Sequence, residues 1–173
     1  MKTYIKSTLF FIVVLTLFSC SKSNPVNEII DDDNPIGDDF FVKATINGTN
    51  HINDEDDATA FTVVTDNGVK WAAFTGEFSD TENIILGIKG FDGTGTYNMA
   101  DYEGSNMTYM LSDPSTGLSE VYLANSFTGS GVINVTQYGR GTATGTFSFT
   151  GVNPIDQTEV NITNGEFHIL LVE

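Results

Sequence analysis

Thiol chemistry is nearly absent from this chain. Cys20 is its one cysteine, which excludes an intramolecular disulfide, a paired redox centre and a multi-thiolate metal site. Positive charge is almost as scarce: seven Lys and Arg stand against 23 Asp and Glu, for a formal net charge of −16. Two of the seven, Lys2 and Lys6, sit at the very start. The remaining five (Lys22, Lys43, Lys70, Lys89, Arg140) face all 23 acidic residues. A chain so acidic repels phosphate backbones, so no nucleic-acid partner is expected, and direct adhesion to anionic lipid is disfavoured. Proline is limited to four residues, and no stretch of useful length carries a helical period. That absence removes helical bundles and α/β folds from consideration.

What the chain does have begins with a compact apolar run. Leu9 to Phe18 follows the two lysines and ends in Ser19-Cys20, the layout of a positive n-region, an h-region and a small residue before a cleavage point. The run is too short to span a bilayer, which takes about 20 apolar residues. Leu17-Phe18-Ser19-Cys20 resembles a bacterial lipobox. The resemblance implies a lipoprotein signal peptide over residues 1–19, cleavage before Cys20, and acylation of that cysteine, palmitate included. Two or more chains at about 0.8 kcal/mol per buried CH₂ would anchor the protein stably to a membrane. Residues 20–38, with Pro25, Pro35, Gly37 and the run Asp31-Asp32-Asp33, read as an extended, self-repelling tether. Acidic residues close behind a lipidated cysteine also resemble the surface-export signals of Bacteroidota lipoproteins. The expected location is the outer membrane, on its cell-surface or its periplasmic face.

Residues 39–173 read as a single antiparallel β domain. Phe40, Val42, Ala44 and Ile46 alternate with Phe41, Lys43, Thr45 and Asn47, the period of a half-buried strand. Thr142-Ala143-Thr144-Gly145-Thr146-Phe147-Ser148-Phe149-Thr150 puts hydroxyls on one face and Ala, Gly and Phe on the other. Further strands are predicted over 60–65, 69–78, 83–91, 106–112, 119–124, 130–138, 158–163 and 166–172. Asp66-Asn67-Gly68 and Asn164-Gly165 carry hairpin-turn chemistry, and Asp113-Pro114-Ser115-Thr116-Gly117 suits a longer loop. Nine or ten short strands of this kind make a β-sandwich, with a closed or partly closed barrel as the alternative.

Several of these segments also resemble one family. Phe41-Val42-Lys43-Ala44-Thr45-Ile46-Asn47-Gly48, Gly129 to Thr136, Gly145 to Phe149 and Val160 to Phe167 are similar to domain of unknown function 6252, a family of small Bacteroidota lipoproteins. The likeness spans roughly residues 40–173. It implies a fold class and a location, and no reaction.

Chemistry is sparse. His51 and His168 are the two histidines that could move protons near neutral pH, and His168 lies on the opposite face from Phe167 and Ile169. G-x-S-x-G, P-loop and H-E-x-x-H patterns are missing, so no enzyme is expected. Asp54, Glu55, Asp56 and Asp57 form the one acidic cluster with ligands suited to calcium, although consecutive carboxylates in an extended loop diverge. Calcium is accordingly the one cofactor to consider. Tyr97 and Tyr102 flank a loop-like stretch where a glycan or peptide could stack. The threonine row of residues 142–150 reads as a solvent-facing strand. The expected function is a noncatalytic surface lipoprotein that binds a glycan, peptide or protein partner. The alternative is a structural envelope component, calcium-stabilised, with no diffusible ligand.

Overall fold

The computed structural model describes residues 40–53, 62–66 and 68–171, within a compact unit over Gly37–Glu173. Its regular structure is entirely strand: β1 (Phe41–Ile46), β2 (Thr49–Ile52), β3 (Thr62–Asp66), β4 (Val69–Ser79), β5 (Glu82–Lys89), β6 (Gly95–Asn98), β7 (Asn106–Asp113), β8 (Leu118–Asn125), β9 (Ser130–Gly139), β10 (Thr142–Val152) and β11 (Glu159–Leu170). All pairings are antiparallel. The expected all-β antiparallel class is what the chain adopts. Sandwich and barrel features are combined in one sheet curled into a half-barrel.

The curl has an identifiable hinge. Most of β10 pairs with β9, from Thr142 to Thr150, but its end reaches β8 through Val152 and Leu123. This bridge joins a six-stranded half, in the order β6-β9-β10-β11-β1-β2, to a five-stranded half, β8-β7-β5-β4-β3. The two halves meet inside the curl. Phe74 of β4 lies 4.7 Å from Phe167 of β11, ring centre to ring centre, and Val42 of β1 packs over Gly76 of β4. Ile84, Leu86, Ile88, Met107, Ile133 and Ile162 fill the remainder, all nearly inaccessible to water. Each such side chain contributes about 1.5–3 kcal/mol through burial, and with no disulfide this packing holds the domain together.

Local chemistry places the strands. In β10 the burial alternates so that Ala143, Gly145, Phe147 and Phe149 point inward while the hydroxyl residues point out. Asp66 pairs with Val69 around Gly68 at φ +83°, which is the expected β3–β4 hairpin. At the β7–β8 turn, Asp113 accepts from the Ser115 N–H at 2.8 Å and from its hydroxyl at 2.6 Å. Those bonds, with another from Thr116, hold the Asp113 carboxyl below the usual range.

Two readings need correction. Asn164-Gly165 is not a hairpin turn, because β11 runs unbroken through it. Its ladders slip there instead: Phe147 pairs with Gly165 but Phe149 with Ile162, and Lys43 pairs with Glu166 but Thr45 with Thr163. Asn164, at φ 51°, is a β-bulge, an extra residue accommodated in the left-handed region that Asn tolerates. Gly165 is required beside it, since a Cβ there would come within 2.6 Å of the Phe147 ring. The second correction concerns β2 and β6. Each is four residues long, too short for an alternation to stand out, and neither is among the predicted strands; the loop-like stretch after Tyr97 is turn from Met99 through Asp101, with Asn98 ending β6.

Candidate functional site

The outer face of the six-stranded half carries the candidate site. Antiparallel register carries one row of residues across all six strands: Thr96, Asn134, Thr146, Glu166, Lys43 and Ile52. The next row runs Asn98, Val132, Ser148, the Thr163-Asn164 bulge, Thr45 and Asn50. Five interstrand spacings make each row about 24 Å long at the usual 4.8 Å per spacing.

Three shallow depressions lie along these rows and share walls. The first, of 390 Å³, is bordered by Lys43, Thr45, Asn50, Ile52, Asn164 and Glu166, among others. The second, of 350 Å³, continues from Asn164 and Glu166 to Thr146, Ser148, Asn134 and Val132. The third, of 250 Å³, continues from Val132 and Ser148 toward Thr150, Asn161 and Thr163. The bulge puts Asn164 at the junction of the first two.

Hydrogen bonds tie these groups together. Lys43 Nζ meets Glu166 Oε2 at 2.8 Å, with both side chains roughly half exposed. Asn164 Nδ2 donates to Thr45 Oγ1 at 3.4 Å, and Thr45 Oγ1 donates to Asn50 Oδ1 at 2.8 Å. Thr96 Oγ1 donates to Asn134 Oδ1 at 3.2 Å. On an acidic protein the two rows hold one carboxylate, and Lys43 neutralises it. Beside them Phe41 pairs with His168; the rings stand 6.4 Å apart, with Lys43 Nζ 5.2 Å from the Phe41 centroid. His168 does face away from Phe167 and Ile169, as its place in the alternation requires.

The tyrosines are arranged differently from the expectation. Tyr97 and Tyr102 do meet, with ring centres 5.3 Å apart. Tyr97, however, is a core residue, 4 % exposed. Its hydroxyl donates to the Gly93 carbonyl at 2.8 Å and accepts from the Asp92 N–H at 3.2 Å, while burial raises its pKa. Tyr102 is half-buried against the same core. As a core ring Tyr97 offers no face for stacking, while Tyr102 keeps part of its surface exposed. Cys20 and the Asp54–Asp57 cluster lie outside the described residues. Asn53, just before that cluster, is buried, and its Oδ1 accepts the Val42 N–H. Among the described residues no three His, Cys, Asp or Glu side chains converge.

A second polar cluster joins the two halves of the curl, and no sequence motif announces it. Tyr109 donates to Glu82 Oε1 at 2.6 Å, and His51 Nδ1 lies 3.3 Å from Glu82 Oε2. Burial, then the Glu82 carboxylate, pushes the Tyr109 phenol well above its ordinary value. Both carboxylate oxygens of Glu82 are therefore engaged. The cluster links β2, β5 and β7, which sequence spacing alone could not bring together.

A family model described as Domain of unknown function (DUF6252) matches residues 56–170. The opening motif Phe41–Gly48 precedes that match. No curated protein and no solved structure matches the chain. With most of its length covered, the chain belongs to the DUF6252 family.

Proposed function

We propose that this protein is a noncatalytic Bacteroidota lipoprotein, held at the outer membrane through Cys20 and displaying the outer face of its six-stranded half as a binding surface. One observation carries the binding assignment: two register rows of hydroxyl, amide and paired charged groups, with three connected depressions along them. Ligand sites pair concave surface with a few fixed polar groups, and these rows supply both. The apolar run ending at Ser19-Cys20 and the acidic tether support the anchor. The noncatalytic reading rests on the sequence, which carries no G-x-S-x-G, P-loop or H-E-x-x-H pattern.

Burial of Tyr97 favours a second reading, a structural envelope component without a diffusible ligand. Melting curves separate the two. A ligand at about 100 times its Kd adds about 2.7 kcal/mol of stability. A glycan or peptide that raises Tm in the native chain but not in Thr146→Trp, where an indole blocks the rows, supports the binding surface. No shift with any ligand supports the structural reading. Cys20→Ala is expected to move the protein from the membrane to the soluble fraction; retention with membrane would remove the lipid anchor from the proposal.

A further inference from the structure

We infer that the ligand is an uncharged polyhydroxylated chain, a neutral glycan lying across the strands, whose hydroxyls are read by Lys43, Glu166 and Asn164. This deepens the binding-surface reading above and rests on it. The chemistry of the central pair points to hydroxyls. Lys43 is donor only and Glu166 acceptor only, held 2.8 Å apart and both open to solvent. A hydroxyl is a donor and an acceptor at once, so two neighbouring sugar hydroxyls can accept from Lys43 and donate to Glu166 without any net charge. Asn164 adds an amide next to the pair, and its bond to Thr45, relayed to Asn50, fixes its orientation before binding. Groups already ordered lose little entropy when a ligand arrives.

The alternatives fit the surface less well. An acidic chain would approach a strongly negative protein whose one cation on these rows is already paired. A basic peptide would be drawn by the net charge of the protein but would find on these rows a single carboxylate, neutralised by Lys43. Strand addition by a peptide needs a free backbone edge, which this half offers only at β2 and β6, at the ends of the rows; β9, β10, β11 and β1, under the depressions, are paired on both sides. A protein partner favours buried aromatic anchors, whereas the rows offer only Val132 and Ile52 as large apolar groups. The apolar face of a sugar ring does have a counterpart in Phe41, beside the charged pair. A row of about 24 Å suits an extended chain more than a compact metabolite.

The test uses the full chain in a sugar-free detergent, with native-gel retardation and calorimetric titration. Probes are neutral polysaccharides (laminarin, xyloglucan, inulin), acidic ones (polygalacturonate, heparin) and oligolysine. At least one neutral polysaccharide is expected to bind. Lys43→Met and Asn164→Gly, the latter keeping a residue at ease at positive φ, should each weaken it ten-fold or more with Tm preserved, and Thr146→Trp should abolish it. If Thr146→Trp does not fold, Asn134→Trp blocks the same row. An acidic or peptide probe that binds instead, and is lost in the Trp variant, overturns the glycan class and leaves the binding surface standing. Neutral binding that ignores Lys43 and Asn164 but is lost in the Trp variant overturns the reading centre. Binding retained in the Trp variant, or no binding by any probe, overturns both the class and the surface.

Discussion

Single atoms decide much of this molecule's stability. A methyl group at position 165 would overlap the Phe147 ring, itself buried and unable to retreat. Gly165→Ala is therefore expected to cost about 1–3 kcal/mol, as overpacked cores do, read as a lowered Tm. Tyr109→Phe probes a different interaction, the phenol's hydrogen bond to Glu82. Hydrogen bonds to charged groups contribute about 1.5–3 kcal/mol, and a loss in that range is expected in denaturant titrations. The pH dependence follows from the raised Tyr109 pKa. Tyr109 ionises more readily in the unfolded chain, so its contribution is fully present below about pH 10, the unperturbed tyrosine value, and is lost as pH rises beyond it. Unfolding free energy measured against pH should fall on the alkaline side, and less steeply in Tyr109→Phe. An identical alkaline slope in the two proteins would remove Tyr109 as the source.

Among the elements, β11 shows how one inserted residue organises a sheet. Side chains alternate with period two, and the bulge absorbs the one step that breaks it: Thr163 and Asn164 both face outward between the inward Ile162 and Gly165. Deleting Asn164 would leave Ile162, Gly165, Phe167 and Ile169 in unbroken alternation, with Glu166 and His168 still outward. The deletion variant is therefore expected to keep a cooperative melting transition, whereas one residue inserted after Phe167 would reverse His168 and Ile169 and should lower Tm. The same element marks where sequence reading stops. Asn-Gly is turn chemistry by local rules, and only pairing with β1 and β10 on either side turns it into a bulge. Longer strands were legible because alternation over eight or more residues is hard to mistake. β4, β5, β7, β8, β9 and β10 fall close to their predicted spans. β2 and β6 were not legible, since four residues hold barely two periods.

For the molecule as a whole, charge and curvature matter most. With 23 acidic against seven basic residues, self-repulsion opposes compaction. Raising ionic strength from about 0.01 M to about 0.15 M shortens the Debye length from about 30 to about 8 Å. Tm is expected to rise over that interval, and a flat response would mean that the charges lie too far apart to matter. Curvature produces the contacts that no linear pattern announces. The bridge from Val152 to Leu123 turns the sheet back on itself, bringing Phe74 to Phe167 and His51 to Glu82.

Local pattern was enough for the all-β class, most strand positions, and which face of β10 is polar, because period-two alternation and turn residues act over a few neighbours. It also marked His168 as turned away from Phe167 and Ile169. Folding had to occur before Tyr97 could be core, Asn164-Gly165 a bulge, and Lys43 the partner of Glu166. These facts depend on interstrand register and on how the sheet curls. Both are set by packing among residues more than a hundred positions apart, as Lys43 and Glu166 are, and side-chain alternation along one strand carries no information about which strand lies beside it.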